Sequence, residues 1–185
     1  MLDDYGIAAD IAAGRLALRP PRPSDAGPLA LWLGDARVAT MLPAIPHPYP
    51  PGAAEALIER ARAGLRSGPL YVMDASPSDG PDVVGLVFVN RAKEEGVFSV
   101  AFAVGPPFWN TGYATEAVQA VAGALFAAGA RAITASVFQD NGISARVLTR
   151  AGFAYVGDGE EFCAGRNATH PVWRYRLERP EEAAT

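Results

Sequence analysis

The segment from Pro107 to Glu116 constrains the fold more than any other part of the chain. An apolar, strand-like run ends just before it and a helical pattern begins within it, so the chain passes from strand to helix through a short loop that turns at Gly112. Such a turn directs several backbone N–H groups at one point, beside the positive end of a helix dipole. The sequence therefore predicts a binding site for a diphosphate and, with it, a large phosphorylated cofactor.

Composition excludes several classes of protein. The chain has 185 residues, of which half are hydrophobic and 19% are charged, and these proportions are typical of one globular domain with its own core. A net charge of −4 argues against a broad basic surface for nucleic acid. No apolar run reaches the length of a membrane span. We therefore expect neither nucleic acid nor a membrane as a partner.

Cysteine and histidine are scarce. Cys163 is the only cysteine, and His47 and His170 are the only histidines. These counts exclude an internal disulfide, a cysteine cluster and a histidine-rich metal site, though not a carboxylate site, and we predict no metal site. The N-terminus is acidic and lacks the basic flank and apolar stretch of a secretory signal, so the expected location is cytoplasmic.

Hydrophobic periodicity predicts strands that alternate with helices. Nearly continuous apolar runs at 83–90 and 97–104 indicate strands buried on both faces, so helices should cover both sides of the sheet. The helix after Gly112 should form a right-handed crossover between parallel strands, while the preceding hairpins make the sheet mixed. About seven strands are expected, at 15–19, 70–75, 83–90, 97–104, 131–138, 153–156 and 171–177. The helices are expected at 24–33, 52–66, 113–128 and 141–151.

The predicted class is α/β, or α+β in the stricter sense, with the order β-α-α-β-β-β-α-β-α-β-β in a single domain. Ser24 and Asp25 are expected to cap the first helix. The proline-rich segment 41–51 cannot be regular structure, because proline lacks an N–H donor and restricts the residue before it. The domain should span 15–178, after a weakly structured segment at 1–14 and before a tail at 179–185.

Two motifs resemble those of the GNAT superfamily of N-acetyltransferases. The family's cofactor loop reads Gln/Arg-x-x-Gly-x-Gly/Ala and opens a helix after its fourth strand; here it is Trp109-Asn110-Thr111-Gly112-Tyr113-Ala114. The second motif, Asn-x-x-Ser/Ala followed by Gly-Phe, is Asn141-Gly142-Ile143-Ser144 and then Gly152-Phe153. The string from 109 to 117 resembles the RimJ/RimL branch of ribosomal-protein N-terminal acetyltransferases. The resemblance spans 15–178 and implies a single GNAT-like domain.

The resemblance implies acetyl-CoA as cofactor. Loop amides would hold the diphosphate, and the free edge of the fourth strand would pair with the pantetheine arm, with an N–H of Ala103 or Val104 facing the thioester oxygen. The implied cofactor-binding residues are Phe102, Ala103, Val104, Trp109, Asn110, Thr111, Gly112, Tyr113, Ala114, Thr115, Asn141 and Ser144.

The same resemblance suggests catalytic groups. Ser144 would hydrogen-bond the leaving sulfur, and Glu160 or Glu161 would act as base through water, although a solvated turn is the alternative for both glutamates. Ser144 could instead bond to its own helix backbone. Asn141 could also serve as a helix N-cap, and Glu116 is expected to be structural, because a carboxylate is favourable in the first turn of a helix.

Several positions depart from the family pattern. Trp109 stands where Gln or Arg is usual. Thr111 stands where this branch usually has Lys or Arg, so one charge partner of the phosphate is missing. Leu148 occupies the place of the tyrosine acid of many members, and the fourth strand offers only Ser99 where some members carry a glutamate base.

Three functions stay open at this point. The first is an N-acetyltransferase for a primary amine such as a protein N-terminus. The second is an acetyltransferase for a small metabolite or an antibiotic, with Trp32, Tyr49 and Phe88 either lining the acceptor pocket or belonging to the core. The third is an acyl-CoA-binding sensor without catalysis. The acceptor groove would be built from loops, so the acceptor and the choice between monomer and homodimer are not predicted.

Overall fold

The strand and helix patterns produce a mixed sheet with helices on both faces. In the computed structural model, which describes residues 6–180, the strands are β1 (Ile11–Ala13), β2 (Leu16–Arg19), β3 (Leu70–Asp74), β4 (Gly85–Arg91), β5 (Val97–Val104), β6 (Ala132–Phe138), β7 (Ala154–Cys163) and β8 (Ala168–Glu178). The helices are α1 (Ala26–Leu33), α2 (Ala36–Ala39), α3 (Ala53–Arg62), α4 (Tyr113–Ala127) and α5 (Gly142–Arg150). The order across the sheet is β1-β2-β3-β4-β5-β6-β8-β7.

The predicted parallel crossover and mixed sheet are confirmed. β5 and β6 are parallel and are joined by α4, whereas all other neighbouring strands in this sheet are antiparallel. Strand alternation divides most buried side chains between two large cores, and a third, small cluster lies between β6, β7 and β8. Tyr71 and Met73 face one core with α4 and α5, while Leu70 and Val72 face the other with α1, α2 and α3.

The eighth strand was not predicted. β1 lies within the segment that the sequence indicated as weakly structured, and it forms a hairpin with β2 in the register Ile11↔Leu18. Two of its three residues are alanine, so no alternation of large apolar and polar residues marks it. The hairpin depends instead on its turn, where Gly14 takes a left-handed conformation with φ 59°.

β7 is much longer than predicted. The sequence indicated a strand only at 153–156, but β7 continues to Cys163, so Glu160 and Glu161 lie in a strand rather than in a turn. They pair with Pro171 and His170 of β8. The strand was missed because charged residues and glycines interrupt its apolar pattern, and pairing with β8 stabilises it despite a register shift between Tyr155 and Gly157.

The region of the first three helices also differs from expectation. The proline-rich segment 41–51 is irregular, as predicted, but the short helix α2 was not predicted, and α3 ends at Arg62 shortly before the left-handed Gly64. The expected Ser24 and Asp25 cap is wrong, because no side chain caps α1. Asp25 is instead buried and binds Arg19.

The ends of the chain are only partly described. Residues 1–5 of the predicted loose segment and 181–185 of the predicted tail lie outside the described residues. Arg179 follows β8 and donates its N–H to the carbonyl of Arg131 at 2.9 Å. Within 6–180, no helix combines the length and the apolar character needed to cross a membrane.

Candidate active site

A cleft of about 620 Å³ opens between the two halves of the sheet. Four walls line it: the segment from α2 to Leu42, the end of β5, the loop into α4, and α5 with the residues just before it. Of the predicted cofactor-binding residues, most line this cleft, namely Phe102, Ala103, Val104, Trp109, Asn110, Gly112, Ala114, Thr115, Asn141 and Ser144. The described lining of the cleft does not include four other predicted site residues, namely Thr111, Tyr113, Glu160 and Glu161.

The loop into α4 is shaped by local hydrogen bonds and two left-handed residues. A single 3₁₀ turn at Pro106–Phe108 is followed by Asn110 with φ 61° and Gly112 with φ 89°. The Thr111 hydroxyl donates to the carbonyl of Phe108 at 2.7 Å and lies 3.4 Å from the N–H of Tyr113. The first N–H groups of a helix have no partner within the helix, so the start of α4 can offer amides to an anion.

Arg15 and Glu116 fix this loop from behind. The Glu116 carboxylate accepts from the N–H of Arg15 at 3.0 Å and from its Nη2 at 2.6 Å, and the same Nη2 donates to the carbonyl of Thr111 at 2.5 Å. Burial acts to raise the pKa of Glu116, but the hydrogen bonds from Arg15 outweigh it and lower the pKa. These contacts agree with the predicted structural role of Glu116.

Gly14 makes this contact possible. A Cβ atom at Gly14 would lie 2.8 Å from Oε2 of Glu116. Only glycine therefore allows the turn between β1 and β2 to approach the carboxylate without displacing it.

β5 loses its neighbour halfway along its length. It pairs with β6 only for its first three residues, whereas it pairs with β4 up to Val104. The next N–H, of Gly105, bonds to the carbonyl of Val84 beside β4 at 2.9 Å. Since successive residues of a strand point their backbone groups to opposite edges, Phe102 and Val104 face the gap between β5 and β6.

This alternation separates the two amides that were expected to face a thioester. Ala103 shares the β4 side with Gly105, so its amide points away from the gap, and only the Val104 amide points into it. The Val104 carbonyl already accepts from Nε1 of Trp109 at 2.7 Å. Trp109 is also stacked by Arg37 of α2, whose Cζ lies 5.4 Å from the ring centre.

α5 presents the second motif to the cleft. Asn141 is the N-cap of this helix, and its Oδ1 accepts from the N–H of Ser144 at 3.1 Å. Within residues 6–180, the Ser144 hydroxyl has no hydrogen-bond partner, so it does not bond to its own helix. It lines the cleft and is able to donate to a ligand atom there.

Arg166 joins two walls of the cleft. It lies in the turn between β7 and β8, its Nε donates to the carbonyl of Thr40 at 2.7 Å, and its Nη1 pairs with Asp140 at 2.7 Å. The hydrogen bond from Arg166 holds the pKa of Asp140 below its usual value. Asp140 therefore stays ionised over a wide pH range, and it is an anionic group in the lining of the cleft.

Sequence reasoning missed four charged residues of this lining: Arg37, Asp140, Arg146 and Arg150. A signal existed for three of them, since Asp140 immediately precedes the second motif and both arginines follow it on α5. The aromatic residues Trp32, Tyr49 and Phe88 are absent from the described lining and pack in the core around α1 and α3.

The cleft combines two features that suit an extended phosphorylated molecule. Unpaired helix amides can bind phosphate at one place, and the unpaired edge of β5 can accept a strand-like chain beside it. The Ser144 hydroxyl and the Asp140 carboxylate add one hydrogen-bond donor and one anion to the same cleft.

Comparison with known proteins identifies the family of this chain. Residues 15–154 match the family model described as an acetyltransferase (GNAT) domain. A GNAT-family acetyltransferase from Bacillus anthracis has a similar structure, with a TM-score of 0.80 and 18% identity over 92% of this chain and 98% of that chain. The microcin C7 self-immunity acetyltransferase MccE, in complex with acetyl-CoA and AMP, has a TM-score of 0.76 and 15% identity over 88% of this chain and 92% of that chain.

A third similar structure comes from the branch suggested by the motifs. RimL, a ribosomal L7/L12 α-N-protein acetyltransferase in complex with coenzyme A, has a TM-score of 0.76 and 17% identity over 91% of this chain and 97% of that chain. No curated protein sequence matches significantly. The family model covers more than half of the sequence and includes the β5–α4 loop, and the chain therefore belongs to the GNAT acetyltransferase family.

Proposed function

We propose that this protein transfers an acetyl group from acetyl-CoA directly to a primary amine, with a protein N-terminus as the leading acceptor. The observation that carries the proposal is the parting of β5 from β6 after Ser99, next to the amides that open α4. Family membership and the acetyl-CoA and coenzyme A complexes of MccE and RimL support the choice of cofactor.

The residues of the cleft fit this cofactor. Gly112, Ala114 and Thr115 would offer amides to the diphosphate, and the N–H groups of Phe102 and Val104 would bind along the pantetheine arm. Thr111 and Tyr113 lie outside the described lining, so the proposal gives Thr111 a role in holding the loop through its bonds to Phe108 and Arg15. Trp109 and Asn110 would border the same chain, and Asn141 would hold α5 in place as its N-cap.

The carbonyl oxygen and the leaving sulfur of the thioester each have a group to serve them. Acetyl-CoA supplies the activated thioester. The Val104 amide would stabilise negative charge that develops on the carbonyl oxygen, because its N–H points into the gap. The Ser144 hydroxyl would donate a hydrogen bond at the leaving sulfur. Positioning both reactants in one cleft can lower the barrier by up to about 7–11 kcal/mol.

The acceptor amine needs a group that orients it and a route for its proton. Asp140 would orient the amine by accepting its hydrogen bond, because its carboxylate lines the cleft and retains acceptor sites beside those that bind Arg166. Glu160 and Glu161 lie on β7 outside that lining, so the proposal assigns them no proton transfer. The proton would leave through water in the open part of the cleft.

A small amine is the second candidate acceptor. Arg166 ties the cleft wall that carries Thr40 to the wall that carries Asp140, and a cleft held in this way would favour a compact acceptor over a long one. MccE, a microcin C7 self-immunity acetyltransferase, is similar in structure. A non-catalytic sensor is the third candidate, since the described lining contains no glutamate, histidine or tyrosine.

Thiol release separates these functions. Purified protein is incubated with acetyl-CoA and with a panel of N-terminal peptides, diamines and aminoglycosides, and free coenzyme A is measured over time. Release with peptides only supports the leading acceptor, and release with small amines only supports the second. Tight binding of acetyl-CoA by calorimetry without any release would contradict catalysis and favour the sensor.

A further inference from the structure

Two arginines of α5 line the cleft without any partner. The guanidinium groups of Arg146 and Arg150 make no hydrogen bond, ion pair or ring contact with any residue from 6 to 180. Other arginines of the fold are engaged, as Arg15 is with Glu116 and Arg166 is with Asp140. Positive charge in a cleft without a carboxylate partner favours an anionic ligand.

The charges of the lining do not balance. Arg37 lines the cleft but is paired with Asp35 at 2.6 Å, and Asp140 lines it but is paired with Arg166. Arg146 and Arg150 thus carry the two uncompensated charges of the described lining. A phosphate monoester carries about −1.5 to −2 charges at pH 7, and this matches a pair of guanidinium groups.

Their position on α5 places both arginines near the start of α4. They are four residues apart and hence on one face of the helix. Nη1 of Arg146 turns back toward the start of α5, 3.9 Å from the position of a Cβ atom on Gly142. The carbonyl of Arg150 accepts from Nε2 of Gln119 at 3.3 Å, so the end of α5 lies against the second turn of α4.

We propose that Arg146 and Arg150 form a second anion subsite, which binds the phosphate monoester on the ribose of coenzyme A. The subsite rests on the proposed function, which assigns the diphosphate to the amides of 112–115. It also supplies positive charge that the loop lacks, because residues 109–115 include no lysine or arginine. Cofactor selectivity would then come from α5 rather than from the loop.

The test compares coenzyme A with 3′-dephospho-coenzyme A, which lacks only that phosphate. Calorimetry measures the affinity of each ligand for the wild-type protein, Arg146→Gln, Arg150→Gln and the double variant. We expect the wild type to bind coenzyme A about tenfold or more tightly than the dephospho form, as expected for hydrogen bonds to a charged group. The double variant should bind the two ligands with nearly equal affinity, while its affinity for the dephospho form stays unchanged.

Arg62→Gln is the matched control, because Arg62 is an exposed arginine of α3 outside the cleft lining, and it should keep the wild-type preference. Equal affinity of the wild type for both ligands would overturn the subsite. So would a double variant that loses affinity for both ligands by the same factor, since the arginines would then act on the diphosphate. Either result leaves the proposed function intact, whereas that proposal fails if the wild type binds neither ligand.

Discussion

Arg19 holds Asp25 through two buried hydrogen bonds, from Nη1 to Oδ2 at 2.9 Å and from Nη2 to Oδ1 at 3.0 Å. Their side chains are only 3% and 1% exposed. Asp74 accepts from Nε of the same guanidinium at 2.7 Å, and Nη2 also donates to the carbonyl of Asp82 at 2.8 Å. This network joins β2, β3 and the start of α1 in one buried place.

Asp25→Ala should destabilise the fold strongly. The change leaves the buried Arg19 guanidinium with one carboxylate instead of two, and breaking a buried ion pair typically costs about 3–5 kcal/mol. Urea titration followed by circular dichroism measures the free energy of unfolding. Glu59→Ala, an exposed position on α3, serves as control and should change it little. A loss in Asp25→Ala no larger than in the control would contradict a role for this network in stability.

The same network should make the fold sensitive to acid. Burial acts to raise the pKa of Asp74, but the hydrogen bonds from Ser76 and Arg19 outweigh it, and the pKa is lowered. A carboxyl group with a lowered pKa stabilises the fold above its unfolded pKa, about 3.9, and that contribution is lost as the pH falls through the folded pKa. Below about pH 4, unfolding free energy should therefore decline more steeply in the wild type than in Asp74→Asn. Parallel pH profiles of the wild type and Asp74→Asn would contradict a contribution of Asp74 to the acid sensitivity of the fold.

Gly112→Asp should abolish tight binding of acetyl-CoA. The new side chain must adopt a φ of 89°, and its charge would repel the diphosphate at the start of α4. We expect a loss of affinity of at least about tenfold by calorimetry. Gly129→Asp is the matched control, since Gly129 has a φ of 94° just beyond the other end of α4, and it should keep the affinity. Wild-type affinity in Gly112→Asp would count against the site.

Glu116→Gln should lower stability and leave the chemistry intact. The charged contact with Arg15 and the favourable position at the start of α4 both stabilise the fold, and their effect is modest because the pair is partly exposed to solvent. Differential scanning calorimetry should therefore report a lower Tm, whereas kcat at a temperature well below Tm should stay near that of the wild type. A large fall in kcat with an unchanged Tm would identify Glu116 as a catalytic group instead.

Asp140→Asn should weaken the use of cationic acceptors. If the carboxylate orients the amine, its loss should raise KM for the acceptor about tenfold and leave KM for acetyl-CoA unchanged. Asp158→Asn is a suitable comparison, because Asp158 is exposed on β7 and binds Gln139 and Tyr155 outside the cleft lining. Equal KM values for Asp140→Asn and the wild type would remove Asp140 from the acceptor site.

Much of the architecture could be predicted because it follows from local patterns. The apolar runs of β4 and β5, the turn at Gly112 and the helical period of α4 each carry their own signal, and the structure confirms the mixed sheet that they imply. β1 and the second half of β7 carry no such signal. Both are strands because a neighbouring strand pairs with them, and pairing between distant residues is not visible in a local pattern.

In the site, too, local motifs could be predicted, whereas contacts between distant segments could not. The loop and α5 were found from their motifs, but Arg37 and Asp140 were not, because their place in the cleft depends on α2 and on the Arg166 contact between distant segments. Glu160 was expected near the chemistry on family grounds alone, yet it lies on the edge strand β7. Ala103 shows a finer limit, since only the strand register reveals which way its amide points.

The short pairing of β5 with β6 has a mechanical consequence. Within the described sheet, strands β1 to β5 are joined to strands β6, β8 and β7 by only three residue pairs, from Val97↔Ala132 to Ser99↔Thr134. A pantetheine chain lying along Phe102 and Val104 would act as a temporary ninth strand and fill the gap between β5 and β6. Without cofactor, the two parts of the sheet should therefore move relative to each other about Ser99. Binding of the cofactor should reduce this motion and slow hydrogen exchange of the β6 amides.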